Sequence, residues 1–285
     1  MGFLLLAVTA LVGLMMTLKL LAVKGISASK AIIINYLIAT TIGWLRVAGT
    51  GLSVSEVSLP LVGLAVAIGL IFYISLQFDA RCSAKAGLAL TTIATRAAMV
   101  VPIALSALLL GEPMSAKSGV LVLLVVGAMV MIFYEPQQKG SRQSNLWLPF
   151  MVFLMSGLST FSLKLSQHTF GATEAYPFVE PLLFGAALIF ATGDTLRKEG
   201  SKALRLDRRT IIAGVALGTF NFLTTFFTLQ GLRYLPTTTF YPIYYGTAVV
   251  VTTILGAALF GEKISPRKLL GIGVALGAIV IISAT

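Results

Sequence analysis

Charge is scarce in this sequence, and acidic charge scarcest: ten Asp and Glu stand among 285 residues, with 11% charged and 57% apolar residues in all. Too little polar surface remains to cover a soluble domain, and long apolar runs follow one another with few charges between them. The expected class is therefore an integral membrane protein, not a soluble fold with an unusually apolar core. One cysteine, Cys82, excludes an internal disulfide and any cysteine-rich metal or cluster site. One histidine, His168, falls in an expected short loop beside Gln167 and Thr169, with no second His or Cys to complete a metal set. No glycine-rich phosphate loop follows a strand, and no nucleotide-binding domain is present to drive a pump with ATP. An enzyme is not expected, and neither a metal nor a cofactor. The net charge of +11 would suggest nucleic acid in a soluble domain, but here the basic residues gather in short loops between apolar runs. That distribution argues topology, so the expected partners are the lipid bilayer and a small-molecule substrate, with no nucleic acid.

The apolar runs predict ten spans. Phe3 to Leu21 lacks the basic start and small-residue cleavage site of a secretory signal, so it is read as the first span. Further spans are expected near Ala31 to Leu45, Leu59 to Phe78, Leu88 to Leu110 and Lys117 to Tyr134. A polar connector from Glu135 to Asn145, with Pro136 and Gly140, interrupts the pattern. Beyond it the spans resume near Leu146 to Leu163, Phe178 to Leu196, Ile211 to Gly231, Thr237 to Phe260 and Lys268 to Ile282. The expected domains are a first five-helix repeat over 1–134, the connector 135–145, and a second repeat over 146–285.

Two sets of echoes support that division. Gly111-Glu112, Ser115, Gly127 and Ala128 recur as Gly261-Glu262, Ser265, Gly277 and Ala278 at a constant offset of 150. Gly13 and Leu18-Lys19-Leu20 recur as Gly157 and Leu163-Lys164-Leu165 at offsets of 144 and 145, and the second offset carries Asn35 onto Glu180. Because five is odd, equivalent helices cross the membrane in opposite directions, which makes an inverted repeat with a substrate site expected near the midplane. In the last hairpin, Gly261 is placed to end one helix, Ser265 to cap the next, and Pro266 to take the first helical position. Gly119, Gly127, Gly273 and Gly277 form small faces against which another helix is expected to pack closely.

The paired Gly-Glu-x-x-Ser motifs, together with Leu229-Gln230-Gly231-Leu232-Arg233-Tyr234-Leu235-Pro236 ahead of the ninth span, resemble the drug/metabolite transporter superfamily in its EamA-like branch. The resemblance covers nearly the whole chain. It implies an all-α basket of ten transmembrane helices, with the third, fourth, eighth and ninth contributing to a central cavity and the fifth and tenth packing at the junction of the halves. It says little about substrate, since members carry amino acids, sugars, phosphorylated sugars, nucleotide-sugars and drugs.

Charges inside spans identify candidate site residues, because each costs roughly 2.5 to 3.5 kcal/mol at a helix centre on insertion scales and so needs a partner, a cavity or a function. Arg96 lies eight residues past Leu88 in a continuous run, too deep for easy snorkelling. It is read as the group that binds a substrate anion, the alternative being a fixed pair with Glu180 or Asp79, or bonding to helix carbonyls. Lys19 and Lys164 occupy equivalent positions and are read as two basic landing points, or else as lysines that snorkel to the interface. Glu180 is the candidate for proton coupling, against a plain ion pair with Lys164. Tyr241, Tyr244 and Tyr245 share one broad face of the ninth span, where Pro242 is expected to kink the helix. Tyr73 and Gln77 on the third span, Asn221 and Gln230 on the eighth, and Asn35 on the second complete the polar set; an interfacial belt for the tyrosines and a helix-to-helix bond for Asn35 are the plainer roles.

Energy must then come from a gradient or from exchange. The leading reading is a secondary transporter, an exporter or exchanger of a small anionic or zwitterionic metabolite such as an amino acid, organic acid or sugar phosphate, in a bacterial inner membrane. Alternatives are a multidrug exporter of lipophilic cations coupled to protons through Glu180, and a non-transporting membrane subunit or scaffold. A monomer is the working expectation. Sixteen of the twenty-one basic residues fall on the side of the odd-numbered loops, from Lys19, Lys24 and Lys30 to Lys263, Arg267 and Lys268. The charge rule thus puts both termini outside the cytoplasm, whereas the resemblance implies both inside. A C-terminal reporter active only in the cytoplasm is expected to stay dark; a bright signal overturns this orientation or the count of ten.

Overall fold

Apolar segments surrounded by lipid have no water to satisfy their backbone groups, so each must close its own hydrogen bonds, and helix is the local solution. The computed structural model describes residues 1–86, 88–133, 147–200, 206–261 and 266–283. Among the described residues every regular element is helical: α1 (Gly2–Val23), α2 (Ala28–Ala48), α3 (Leu59–Ala86), α4 (Leu88–Ala97), α5 (Val100–Leu109), α6 (Ala116–Phe133), α7 (Trp147–Phe170), α8 (Val179–Glu199), α9 (Arg208–Gly231), α10 (Thr237–Phe260) and α11 (Pro266–Ser283). Eight stretches among these residues are long and apolar enough to cross a membrane: α1, α2, Leu59–Ser83, Thr91–Leu109, α7, Tyr176–Glu199, α9 and Thr237–Leu259. Val122–Met131 in α6 and Leu269–Ala278 in α11 are shorter apolar helical stretches. The chain is an all-α integral membrane protein.

The expected fourth span is broken. Pro102 has no N–H to offer Ala98, and its ring crowds that carbonyl, so the regular ladder fails. The Ala98 carbonyl instead accepts from the Val101 N–H at 3.0 Å, and the Arg96 carbonyl from the Met99 N–H at 3.3 Å. The result is a turn at Ala98 and Met99 between α4 and α5, one turn past Arg96. α10, by contrast, runs through Pro242 without interruption.

Helix ends follow the sequence closely. Gly111 and Gly261 both take left-handed backbone, φ 68° and 67°, which a side chain would strain. After Gly111 the Glu112 N–H returns to the Ser106 carbonyl at 3.2 Å. Pro266 opens α11 as expected, while the expected cap at Ser265 and the connector 135–145 lie outside the described residues. Asp207 caps α9, accepting from the Arg209 and Thr210 N–H groups at 3.2 and 3.4 Å. His168 sits in the exposed last turn of α7, not in a loop, because the helix continues to Phe170.

The chain forms two compact units, Met1–Tyr73 with Leu165–Arg233, and Ile74–Lys164 with Tyr234–Thr285. Each draws helices from both sequence halves. In the first unit α9 packs against α1 and α2, and α2 against α8. Leu21, Ala31 and Leu217 form a core there. Glycines permit the approaches: a Cβ at Gly218 would stand 2.6 Å from the Asn35 carbonyl oxygen, and one at Gly69 2.5 Å from that of Leu183. In the second unit Cys82, Ala94 and Val152 join α3, α4 and α7, and the Ser75 and Ser156 hydroxyls meet at 3.4 Å.

α6 packs on α11 in that second unit; Val122, Val125, Ala128 and Met129 are buried on one helix and Ile272, Ala275 and Ala278 on the other. The small faces do not carry this contact as expected: at Gly119, Gly127, Gly273 and Gly277 no described atom lies within 4 Å of an added Cβ. Tight packing occurs instead at Gly13 and Gly157, where a Cβ would stand 2.4 Å from the Phe220 ring and 2.4 Å from the Val101 Cβ. Gly157 is thus what lets α7 lie against α5 beside the helix break. Gly157→Ala is expected to lower stability by about 1–3 kcal/mol through overpacking against a branched side chain that has no free end to move. Gly273→Ala should change it little, and thermal unfolding of the two variants in detergent measures the contrast.

Candidate functional site

Arg96 organises the second unit. It is 3% exposed, and three features make its burial tolerable. First, it stands in the last turn of α4, where the negative end of the helix dipole favours a cation. Second, its guanidinium lies 5.4 Å from the centroid of the Tyr245 ring. Third, Asp79 on α3 supplies an opposite charge within interaction range.

Asp79 was expected only as one alternative partner for Arg96, and the structure places it at the site. It is partly buried, and its Oδ1 is sealed from solvent with no hydrogen-bond partner among the described residues. The Thr95 hydroxyl, one residue before Arg96, donates to the Thr91 carbonyl at 3.0 Å.

α10 contributes the aromatic wall. Tyr241 and Tyr245 stack at 6.1 Å, and Tyr244 meets Tyr245 edge-on at 4.8 Å. The Tyr241 hydroxyl donates to the Thr160 carbonyl at 3.1 Å. Thr160 Oγ1 donates to the Ser156 carbonyl at 2.8 Å, which commits its proton, so the Tyr245 hydroxyl donates to Thr160 across 3.3 Å. Tyr241 is 0% and Tyr244 4% exposed, so the alternative of an interfacial aromatic belt does not describe them. Gln77, also in this unit, lies two positions from Asp79 on the other side of α3.

Lys164 joins a separate cluster in the same unit. Its ammonium lies 2.7 Å from Glu112 Oε1, so its carboxylate partner is Glu112, while Glu180 pairs with Arg46. The other carboxylate oxygen, Oε2, accepts from the Thr237 backbone N–H at 2.9 Å and from its hydroxyl at 2.5 Å, at the start of α10. One carboxylate therefore ties the α5–α6 loop, α7 and the N-terminus of α10. Burial raises the Glu112 carboxyl, but the hydrogen bonds from Lys164 and Thr237 and the lysine charge outweigh it and hold it below the ordinary range.

The first unit holds the remaining candidates. Glu180, 1% exposed in the first turn of α8, pairs with Arg46 at 3.0 Å, and that guanidinium also lies 4.7 Å over the Phe226 ring. The Asn221 amide nitrogen donates to the Asn35 oxygen at 3.1 Å, or 3.2 Å with the Asn35 amide turned over, so the pair joins α9 to α2 in either orientation. Tyr73 stacks on Phe190 at 6.2 Å and hydrogen-bonds Asp194. Gln230 lies in the last turn of α9, and Lys19, late in α1, is partly buried. The structure thus gathers Arg96, Tyr241, Tyr244 and Tyr245 in one place and Asn35 with Asn221 in another. Sequence reasoning missed Thr160, the Glu112–Lys164 pair and the break; only the last left a local signal, Pro102.

Residues 143–284 match the EamA-like transporter family. No curated protein sequence matches the chain significantly. A solved crystal structure of another protein superposes with a TM-score of 0.79 at 15% identity, over 99% of this chain and 98% of that one, which speaks for the fold alone.

The Glu112 cluster has a pH signature with a definite sign. A carboxyl held lower in the folded state stabilises the fold above its unfolded value, and that contribution is lost as pH falls through the folded value. Glu112→Gln is expected to cost about 1–3 kcal/mol at neutral pH by stranding the Lys164 ammonium. The deficit against wild type should close on acidification, as read by thermal unfolding across pH.

Proposed function

We propose that this chain, whose residues 143–284 match the EamA-like transporter family, is a secondary-active transporter of a small anionic or zwitterionic metabolite. An amino acid, an organic acid and a sugar phosphate are the chemical types that fit. The observation that carries the substrate class is Arg96: a buried guanidinium at the end of a broken helix, walled by tyrosines, offers a fork of N–H donors to a carboxylate or phosphate. Tyr241, Tyr244 and Tyr245 give the substrate body an aromatic face, and Thr160 holds two of them in place through its carbonyl and hydroxyl. A helix broken beside a charged group at membrane depth is the arrangement in which transporters hold polar substrates.

The mechanism proposed is alternating access, with ten helices in two inverted five-helix repeats over 1–134 and 146–285 joined by 135–145. Transport is export or exchange across a bacterial inner membrane, by a monomer, and without a cofactor. Glu180, fully buried and paired with Arg46, then serves to hold α8 to α2 and not to carry protons.

Detergent-purified protein should be melted with L-glutamate, L-phenylalanine, succinate, glucose 6-phosphate and tetraphenylphosphonium in turn. An anion or zwitterion at a hundred times its Kd is expected to stabilise the native chain by about 2.7 kcal/mol, and Arg96→Ala should show no such gain. Stabilisation by tetraphenylphosphonium alone overturns the anion reading.

A further inference from the structure

Arg96 and Tyr245 meet at the closing point of a ring of contacts, and Glu112 supplies the bond at its opposite end. From Arg96 the chain passes the break, runs along α5 and turns at Gly111, where the Glu112 N–H is fixed to the Ser106 carbonyl at 3.2 Å. The Glu112 carboxylate then crosses to α10, accepting from the Thr237 N–H at 2.9 Å and from its hydroxyl at 2.5 Å. Thr237, Tyr241 and Tyr245 recur at four-residue steps and so share one face of α10. That face leads back to Arg96, whose guanidinium lies 5.4 Å from the Tyr245 ring centroid. α5 packs against α10 along the way.

α7 braces the ring from the side. Thr160 and Lys164 also stand four residues apart, on one face of that helix. Lys164 pairs with Glu112 Oε1 at 2.7 Å, while Thr160 accepts from the Tyr241 hydroxyl through its carbonyl at 3.1 Å and meets the Tyr245 hydroxyl at 3.3 Å. α10 needs such support near its start. Pro242 has no N–H to offer the Thr238 carbonyl, which removes one of the ladder bonds between the first turn and the rest of the helix. Glu112 on Thr237 and Thr160 on Tyr241 hold that turn from outside.

We propose that Glu112 is a positioning residue for the anion site: by clamping the end of α5 and the start of α10 to α7, it sets the register that brings the Tyr245 ring against Arg96. It acts through α10 and not by touching the substrate. The inference rests on the reading of Arg96 as the anion-binding residue.

Only about 12 Å of helix separates Thr237 from Tyr245 at the ordinary helical rise. α10 is continuous over that length, so a turn or slide released at Thr237 is carried to the Tyr245 ring. The substrate then meets Arg96 with its aromatic wall displaced.

Equilibrium binding of radiolabelled L-glutamate, L-phenylalanine, succinate and glucose 6-phosphate is measured on detergent-purified protein, with thermal unfolding alongside. Wild type is expected to bind at least one of them, and Glu112→Ala to bind it more weakly by a factor of about 3 to 30. A role confined to stability lowers the unfolding temperature and leaves affinity alone, as expected of Asp207→Ala, which removes the α9 cap in the first unit. The loss should also run through Tyr245: Tyr245→Leu weakens binding, and adding Glu112→Ala to it weakens binding no further. Where Glu112→Ala does not purify folded, Thr237→Val, which keeps the side-chain shape and loses only the hydroxyl, should weaken binding in the same direction. Unchanged affinity in Glu112→Ala, or in Thr237→Val where only that variant folds, overturns the positioning role, as do losses that add in the double variant; the Arg96 reading then stands. If Arg96→Gln binds as tightly as wild type, or wild type binds none of the four compounds, the anion reading itself fails, and the positioning role with it.

Discussion

A charge withdrawn from water into a bundle of apolar helices must find its compensation inside the protein, and this chain meets that constraint three times with different means. Lys164 is answered by a carboxylate, Glu180 by a guanidinium, and Arg96 by the face of the Tyr245 ring at the end of α4. The first two are close-range pairs at helix ends and fix elements to one another. The third sits where α4 meets α10, at the site itself.

The helix break and the cluster around Arg96 depend on each other. Without Pro102 the ladder would run on past Ala98, and the Arg96 and Ala98 carbonyls would accept from N–H groups four residues on instead of three. Without Gly157 on α7, α5 could not lie close enough to enclose the break. Two residues that carry no charge, Pro102 and Gly157, thus shape the place where a charged one is buried.

Much of this was legible from composition and spacing. Apolar runs gave the helical class, Gly111 and Gly261 marked two helix ends by the left-handed backbone that only glycine adopts freely, and Pro266 marked a helix start. Arg96 stood out because a lone charge in a long apolar run is conspicuous in any reading frame. What failed were inferences that required knowing which helices meet. Lys164 and Glu112 are separated by a connector and two apolar segments, so nothing local links them, and the sequence distance from Lys164 to Glu180 suggested the wrong partner. The glycine pairs of α6 and α11 follow membrane packing motifs, yet a Cβ there would meet no described atom within 4 Å, and the buried residues on these helices are Val, Ala, Met and Ile. Spacing shows that a face exists and leaves open which way it turns.

Cys82 is a core residue, 0% exposed and packed with Ala94 and Val152. It is also the sole thiol in the chain. A protein with a single, sealed sulfhydryl is already a blank background for thiol chemistry. Cysteines introduced one at a time along α4 and α10 would report their own access to water-borne reagents from either membrane face, with the native core left intact.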